Sequence, residues 1–474
     1  MKTGKAGLPL KRFVLACVLA VGLGGCNSLR TPPPEAPPLP ARWIFAEDNA
    51  NHSPAAPSPR GDGFWYSLGD PALPALLATA LRHNAEVKFG VLQSRLARLQ
   101  AAFAGLSRWP STSLSFSAGL ARPLTHPAGT QPQTVRTAST AFTAGYPLDL
   151  WGKEQATREA ATLLAHASER DVEAIRLAIC VSVAEARWQI GFLHRVQRNA
   201  QADLKEASQN VRLAQVRYEA GAISGGDVLF ARQALALRQN ALSVIQQDLV
   251  EARLAFDLLL GTSTPDELAD LQDTPLPTPR AGLPVQILAR RADVHAAELR
   301  VRSSLAEADA VRLGFYPSFN LTASYGTLSP TLTQYFTDPL GALGATLALP
   351  FIQFNTARFS RKSAYLVFEA NRVNFINQLQ TALKEVEQAL SARQQLMTQR
   401  IYQQETLALS QETENLTYLR WQRGSTDIQP WLDAKSARRQ AQLGLLQNVL
   451  ARKINAVRLY AALGGHSPAE PAID

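Results

Sequence analysis

The chain has 474 residues, 46% hydrophobic and 18% charged, ordinary for a folded protein and too charged for a bundle of membrane-spanning helices. Its formal charge of +9 includes Lys2, Lys5, Lys11 and Arg12, ahead of residue 26 in a stretch without acids; without them 44 basic residues face 39 acidic ones, a balance of +5. No basic run or patch concentrates that charge, which argues against a nucleic-acid partner.

Residues 1–25 read as a secretory signal. Lys11 and Arg12 close its basic part, and the 12 apolar residues Phe13 to Gly24 fall short of the roughly 20 that a spanning helix needs. Leu23-Gly24-Gly25-Cys26 resembles the bacterial lipobox. That resemblance implies cleavage before Cys26 and acylation of its thiol and new amino group, and Asn27 implies sorting to the outer membrane. An uncleaved anchor or an incidental cysteine is the alternative. Several acyl chains at about 0.8 kcal/mol per buried CH₂ would make a stable anchor. With Cys17 in the signal and Cys26 acylated, Cys180 has no intramolecular partner, and its neighbours Ile175, Ile179 and Val183 point to a buried thiol.

Residues 26–62 form a Pro-rich tether, with Pro32-Pro33-Pro34 and Pro37-Pro38. Structure is expected from Phe64-Trp65-Tyr66 onward. An internal duplication then organises the chain. Leu81, Glu86-Val87 and Trp109-Pro110-Ser111 recur 207 residues later as Leu288, Asp293-Val294 and Tyr316-Pro317-Ser318. Tyr146-Pro147, Arg217, Gly221, Leu229 and Leu260-Gly261 recur 203 residues later as Leu349-Pro350, Arg420, Gly424, Leu432 and Leu463-Gly464. The four-residue change falls between the two strands of each unit, where a loop absorbs it. The repeats span 63–261 and 285–464, with a linker at 262–284 and a tail at 465–474.

Each unit reads helix, strand, loop, strand, very long helix, tip, helix. Leu114, Phe116, Ala118 and Leu120 alternate with Ser113, Ser115 and Ser117. Leu321, Ala323 and Tyr325 alternate with Asn320, Thr322 and Ser324, and Leu343, Ala345 and Leu347 with Gly344 and Thr346. This is strand periodicity. The polar face suits a water-filled lumen, and the apolar face suits lipid or a sandwich core. Lipid is favoured by aromatics where strands meet helices: Trp109, Tyr146 and Trp151 in one unit, Tyr316, Phe351 and Phe354 in the other. The polar loops near 121–138 and 327–341 would then face the exterior.

From Lys153 to Ala220 there are 68 residues without proline, and 68 more from Thr356 to Arg423. Each predicts a helix of roughly 100 Å at about 1.5 Å per residue. Val172, Ile175, Ile179, Val183, Ala186, Ile190, Leu193 and Val196 recur at spacings of three and four, a coiled-coil seam. Four strands cannot close a barrel, because the smallest have about eight. Subunits must share one: two would supply eight strands and three would supply twelve, and a wide polar lumen favours the larger count.

At this point the chain resembles the TolC-type outer membrane efflux channels, in the lipidated, NodT-like branch that serves resistance–nodulation–division pumps. The resemblance covers nearly all of the mature chain. Its landmarks include Tyr146-Pro147-Leu148-Asp149-Leu150-Trp151-Gly152-Lys153, Arg217-Tyr218-Glu219-Ala220-Gly221, Ala289-Arg290-Arg291-Ala292-Asp293-Val294 and the closing Leu463-Gly464. It implies an α+β membrane protein, a duplicated strand-hairpin and long-helix unit. Four transmembrane β-strands per chain would contribute to a shared 12-stranded barrel, continued by a long periplasmic α-helical barrel. It also implies a homotrimer in outer membrane lipid, opened at its periplasmic end by a periplasmic adaptor (membrane fusion) protein and an inner-membrane efflux pump. The implied cargo is drugs or other small toxic compounds. The tip turns are Gly221 and Gly424, and the gate candidates are Asp433, Asp227 and Asp427. Asp433 matches the family's acidic entrance ring; Asp227 is read equally well as a helix N-terminal acid. Trp421, where a tyrosine is usual, Thr426, Pro430 and Ala292 depart from the family pattern.

No catalytic constellation, cofactor motif or metal-ligand spacing stands out among the seven histidines and three cysteines, so the chain does not read as an enzyme. Only two methionines are present, which counts against a dedicated copper or silver exporter. The alternatives are the exit duct of a type I protein secretion system and a periplasmic coiled-coil adaptor or scaffold lipoprotein.

Overall fold

The computed structural model describes residues 30–32, 38, 40, 42–45, 63–122, 134–263, 271–277, 284, 290–329 and 339–468. In chain order the elements are α1 (Gly63–Tyr66), α2 (Leu73–His83), α3 (Ala85–Gly105), β1 (Ser111–Ala121), β2 (Val135–Leu148), α4 (Lys153–Glu219) and α5 (Gly225–Leu260). After the linker come α6 (Ala292–Leu313), β3 (Ser318–Ser329), β4 (Pro339–Ala348), α7 (Phe354–Gln422) and α8 (Gln429–Ala462). The two long helices run for 67 and 69 residues, against the 68 expected for each. The strands form one antiparallel sheet in the order β1-β2-β3-β4. The central β2–β3 pairing joins the two repeats.

The chain divides into two compact units, and each draws on both repeats. One comprises the start of the chain to Pro37, Ser94–Ser168 and Ala296–Ile376, and holds the whole sheet. In it Phe368 packs with Val301 and Leu305, and the Ser303 hydroxyl donates to the Ala160 carbonyl at 2.8 Å.

The other unit comprises Pro38–Gln93, Glu169–His295 and Asn377–Asp474. Its core gathers Trp65, Leu68, Leu73 and Leu77 with Val183, Trp188 and Ile190 of α4, Phe256 and Leu260 of α5, and Val457 and Tyr460 of α8. Each such side chain contributes about 1.5–3 kcal/mol on burial. The anticipated seam is present: Val172, Ile179, Val183, Ile190 and Leu193 are buried, while Ile175, Ala186 and Val196 pack partly buried against the core. Cys180 is buried and unpaired, and desolvation pushes its thiol up to about 12 despite the Arg176 charge.

The duplication is visible as repeated contacts. Gly261 and Gly464 both close helices with positive φ, 69° and 79°. A Cβ on Gly261 would lie 2.6 Å from the His83 carbonyl oxygen, and one on Gly464 would lie 2.6 Å from Arg290 Cβ, so neither site admits a side chain. Beside them the Asn84 amide donates to the Leu259 carbonyl at 2.9 Å, and Arg291 donates to the Ala462 carbonyl at 3.4 Å. Arg291 also holds Asp293 at 2.7 Å and Glu385 at 2.6 Å. Burial opposes the charge on Asp293, but the hydrogen bonds and charge of Arg291 outweigh it and keep the carboxyl below its ordinary range.

The linker and tether are fastened. Asp273 accepts from Arg400 at 2.6 Å and Arg452 at 3.4 Å. Buried Lys453 donates to the Thr274 hydroxyl at 2.9 Å and the Leu68 carbonyl at 3.3 Å. Within the tether, Trp43 is buried and the Ile44 amide donates to Glu387 at 2.7 Å. Cys26, the expected acylation site, lies outside the described residues.

Candidate functional site: the strand faces and the hairpin tips

The sheet register turns alternation within each strand into two continuous faces. Leu114 stands opposite Phe142, which stands opposite Tyr325; Ala323 is opposite Leu343, and Phe319 opposite Leu347. The other face lines up Ser113 with Thr143 and then Ser324, and Gly145 with Thr322 and then Gly344. Hydroxyls on that face bond across strands: Ser113 to Thr143 at 2.6 Å, Ser117 to Ser139 at 2.7 Å, and Ser111 to the Gly145 carbonyl at 3.1 Å. Every residue of β1 and of β4 is exposed, and neither outer edge has a further strand neighbour among the described residues.

Of the boundary aromatics, Trp151 and Tyr316 come together, with ring centroids 5.4 Å apart. The Trp151 indole N–H donates to the Pro317 carbonyl at 2.7 Å, tying the start of α4 to the start of β3. Trp109, Phe351 and Phe354 point outward and are exposed, and Tyr146 is half-buried opposite Leu321. Asp149 accepts from the Glu154 and Gln155 amides at 3.1 and 2.9 Å, which satisfies donors at the start of α4 and explains an acid in this landmark.

The two hairpin tips share one turn. Gly221 and Gly424 have φ of 72° and 71°. At each, a four-residue and a six-residue backbone bond close the helix: Gly221 N–H to Tyr218 and Ala222 N–H to Arg217, Gly424 N–H to Trp421 and Ser425 N–H to Arg420. This is the Schellman arrangement, which favours glycine.

Beyond the glycine the tips differ. Asp227 completes a capping box with Ser224, its Oδ2 accepting from the Ser224 amide at 2.9 Å and hydroxyl at 2.8 Å. Those bonds, the hydroxyl's first, hold the Asp227 carboxyl below its usual range. At the second tip Asp427 is exposed in the turn, and Asp433 is exposed on α8, accepting from the Gln429 amide at 2.8 Å. There Trp421 stacks on Trp431, Tyr418 lies 5.2 Å from Trp431, and the Lys435 ammonium sits 5.2 Å from the Trp431 ring. Sequence reading singled out Trp421 but missed Trp431; the signal was two tryptophans ten residues apart around a turn glycine.

Residues 76–262 and 283–465 match the outer membrane efflux protein family. The chain belongs to that family. The pyoverdine export outer membrane protein OpmQ of Pseudomonas aeruginosa is 27% identical over 464 residues, 96% of each chain. The cation efflux system protein CusC of Escherichia coli is 28% identical over 467 residues, 95% of this chain and 98% of that one. The crystal structure of the Campylobacter jejuni CmeC outer membrane channel shares the fold, with a TM-score of 0.82 over 93% of this chain and 95% of that one at 19% identity.

As an outer membrane efflux protein, the chain is an outer membrane channel subunit of an efflux system. The family consists of channel and duct proteins.

Proposed function

We propose that this efflux protein works as a homotrimer whose twelve strands close one barrel in the outer membrane and whose helices continue as a periplasmic tunnel. It acts as a passive duct, receiving drugs or other small toxic compounds by way of a periplasmic adaptor and an inner-membrane pump. The observation that carries this reading is a sheet of four strands open at both edges among the described residues. In hydrocarbon each unpaired backbone group would cost several kcal/mol, so the β1 and β4 edges need strands from other copies. Eight strands make a barrel whose interior side chains fill, whereas a hydroxyl-lined face suits water, which favours twelve.

A second observation supports association. On α3, Phe89, Leu92, Leu96, Leu99 and Phe103 repeat at alternating spacings of three and four and are 48–76% exposed. An unpartnered coiled-coil seam of this length is an interface in a stable protein.

In a trimer Asp433, Asp427 and Asp227 would each recur three times around the axis. Like charges so arranged attract cations and repel one another, so they constrict and select together. Cys26 would carry the lipid. Curated relatives of nearly equal identity have names for pyoverdine export and cation efflux, which supports a duct that leaves cargo choice largely to the pump.

The test is the migration of purified outer membrane protein before and after heating, with planar-bilayer recording. A heat-dissociable trimer that conducts is expected; a soluble monomer once the acyl group is removed sinks the reading.

A further inference from the structure

Asp309, in the last turns of α6, is a charged residue only 4% exposed. A carboxylate so covered needs donors on its oxygens. Arg312 supplies one at 2.8 Å. Thr31 supplies two: its amide donates to Oδ2 at 2.9 Å and its hydroxyl to Oδ1 at 2.7 Å. The preceding residue, Arg30, pairs with Glu159 on α4. Two adjacent residues of an irregular segment are therefore gripped by two different helices of the unit that holds the sheet.

The grips sit at matching heights. Glu159 follows Trp151 by eight residues and Asp309 precedes Tyr316 by seven, and those two aromatic rings touch. At about 1.5 Å per helical residue, both lie about 10 Å along their helices from the aromatic pair. Cys26 is four residues before Arg30, a reach of at most about 14 Å. Among the described residues the next fastening along the chain is the buried Trp43, seventeen residues from Cys26, which would allow about 60 Å.

We propose that Asp309 is the seat of the mature N-terminal strap, a positioning residue that holds acylated Cys26 at the membrane boundary marked by Trp151 and Tyr316. The proposal rests on Cys26 being the lipid site. Its physical content is that the clamp shortens the tether from the seventeen residues between Cys26 and Trp43 to four, so the acyl chains enter lipid beside the sheet rather than ranging along the periplasmic helices.

Hydrogen exchange of the full-length protein in detergent, read by mass spectrometry, tests the clamp. Thr31 lies outside any helix or strand, so Asp309 is the source of its amide protection. Asp309→Ala should speed Thr31 exchange by about tenfold or more, as expected for a lost bond to a charged acceptor. Thr31→Ser should preserve protection, and so should Cys26→Ala. A Thr31 amide that exchanges at the unstructured rate in the wild type, or is indifferent to Asp309→Ala, overturns the clamp. Loss of protection in Cys26→Ala transfers the hold to the lipid and overturns it too.

Positioning is read separately, from the membrane depth of a spin label at Ser28→Cys. Releasing the clamp should broaden the depth distribution about twofold, from the square-root dependence of reach on tether length. Unchanged depth with lost Thr31 protection overturns the positioning role. If Asp309→Ala fails to assemble, Thr31→Val removes the side-chain bond and leaves α6 intact. The mass of the mature N-terminal peptide reports acylation independently, so failure of the lipid reading is distinguishable.

Discussion

Trp421 and Trp431 lie face to face across the Gly424 turn, their ring centroids 5.0 Å apart and their planes 11° from parallel. The duplicated positions at the first tip are Tyr218 and Val228, 203 residues earlier, where no such pair can form. That tip is closed by the Ser224–Asp227 capping box instead. The helix after the second tip has no side-chain cap on Ile428, so aromatic packing replaces hydrogen bonding there.

A double-mutant cycle on Trp421→Ala and Trp431→Ala is expected to give a coupling of about 0.5–1.5 kcal/mol, with loss of the near-ultraviolet circular dichroism of the stack. Strictly additive effects would show that the pair does not hold the tip.

Asp433→Ala is expected to raise single-channel conductance in planar bilayers and to reduce cation preference, because it removes charge from the proposed constriction. Unchanged conductance removes Asp433 from the gate. Asp427→Asn should act in the same direction. Asp227→Asn should act mainly on the turn, since both donors on that carboxylate come from Ser224.

The tip glycines test backbone against packing. A Cβ on Gly221 or Gly424 would meet no atom within 4 Å, so only positive φ opposes alanine. Each Gly→Ala change is expected to cost about 1–2 kcal/mol of tip stability, seen as faster local hydrogen exchange, and Asn should cost less. Acid should loosen the first tip as well. The folded carboxyl of Asp227 is depressed, so its contribution is present above the ordinary value of 3.8 and is lost as pH falls through the lower folded value. Tip exchange that does not change across that acid range would contradict the capping role.

The strand faces make opposite forecasts for neighbouring residues. Phe116→Arg, on the apolar face, is expected to destabilise membrane assembly by about 2–4 kcal/mol if placed near mid-bilayer. Ser115→Arg, on the hydroxyl face, should assemble normally and shift ion selectivity. Trimer yield from isolated outer membranes separates the two, and equal yields would refute the assignment of faces.

Cys180 should resist thiol reagents at pH 8 in the native protein and react once it is unfolded, because burial holds its thiol near 12 against a usual 9.0. The folded value is raised, so its contribution to stability is full below pH 9.0 and is lost as pH rises toward about 12. Labelling of the folded protein at the unfolded rate would show that the α4 seam opens.

Strand alternation and helix seams were legible because each is a local periodicity. Leu114 and Ser113 differ in face by one residue, and Val172 to Val196 fall on one helical stripe whatever surrounds them. Turn chemistry was legible for the same reason, since Gly221 and Gly424 each punctuate a long unbroken helix. The fastening of the tether by Thr31 and Ile44 was not. Nothing in a Pro-rich segment announces which carboxylates, Asp309 and Glu387, will bind its amides from more than 270 residues away. Asp227 was legible as a residue but ambiguous in role, because a helix N-terminal acid and a ring acid are the same letter in the same turn.

The sequence alone determined a duplicated chain with two hairpins of alternating strands, two helices of nearly 70 residues and two glycine tips. Each of these follows from the stereochemistry of residues close together in the chain. Tertiary structure decided that β2 pairs with β3, joining the repeats across residues such as Phe142 and Tyr325, 183 positions apart. It also decided that the second tip closes on stacked tryptophans and that Asp309 receives the tether. Those choices depend on which distant groups satisfy one another's hydrogen bonds and buried surface, and periodicity carries no information about the partner.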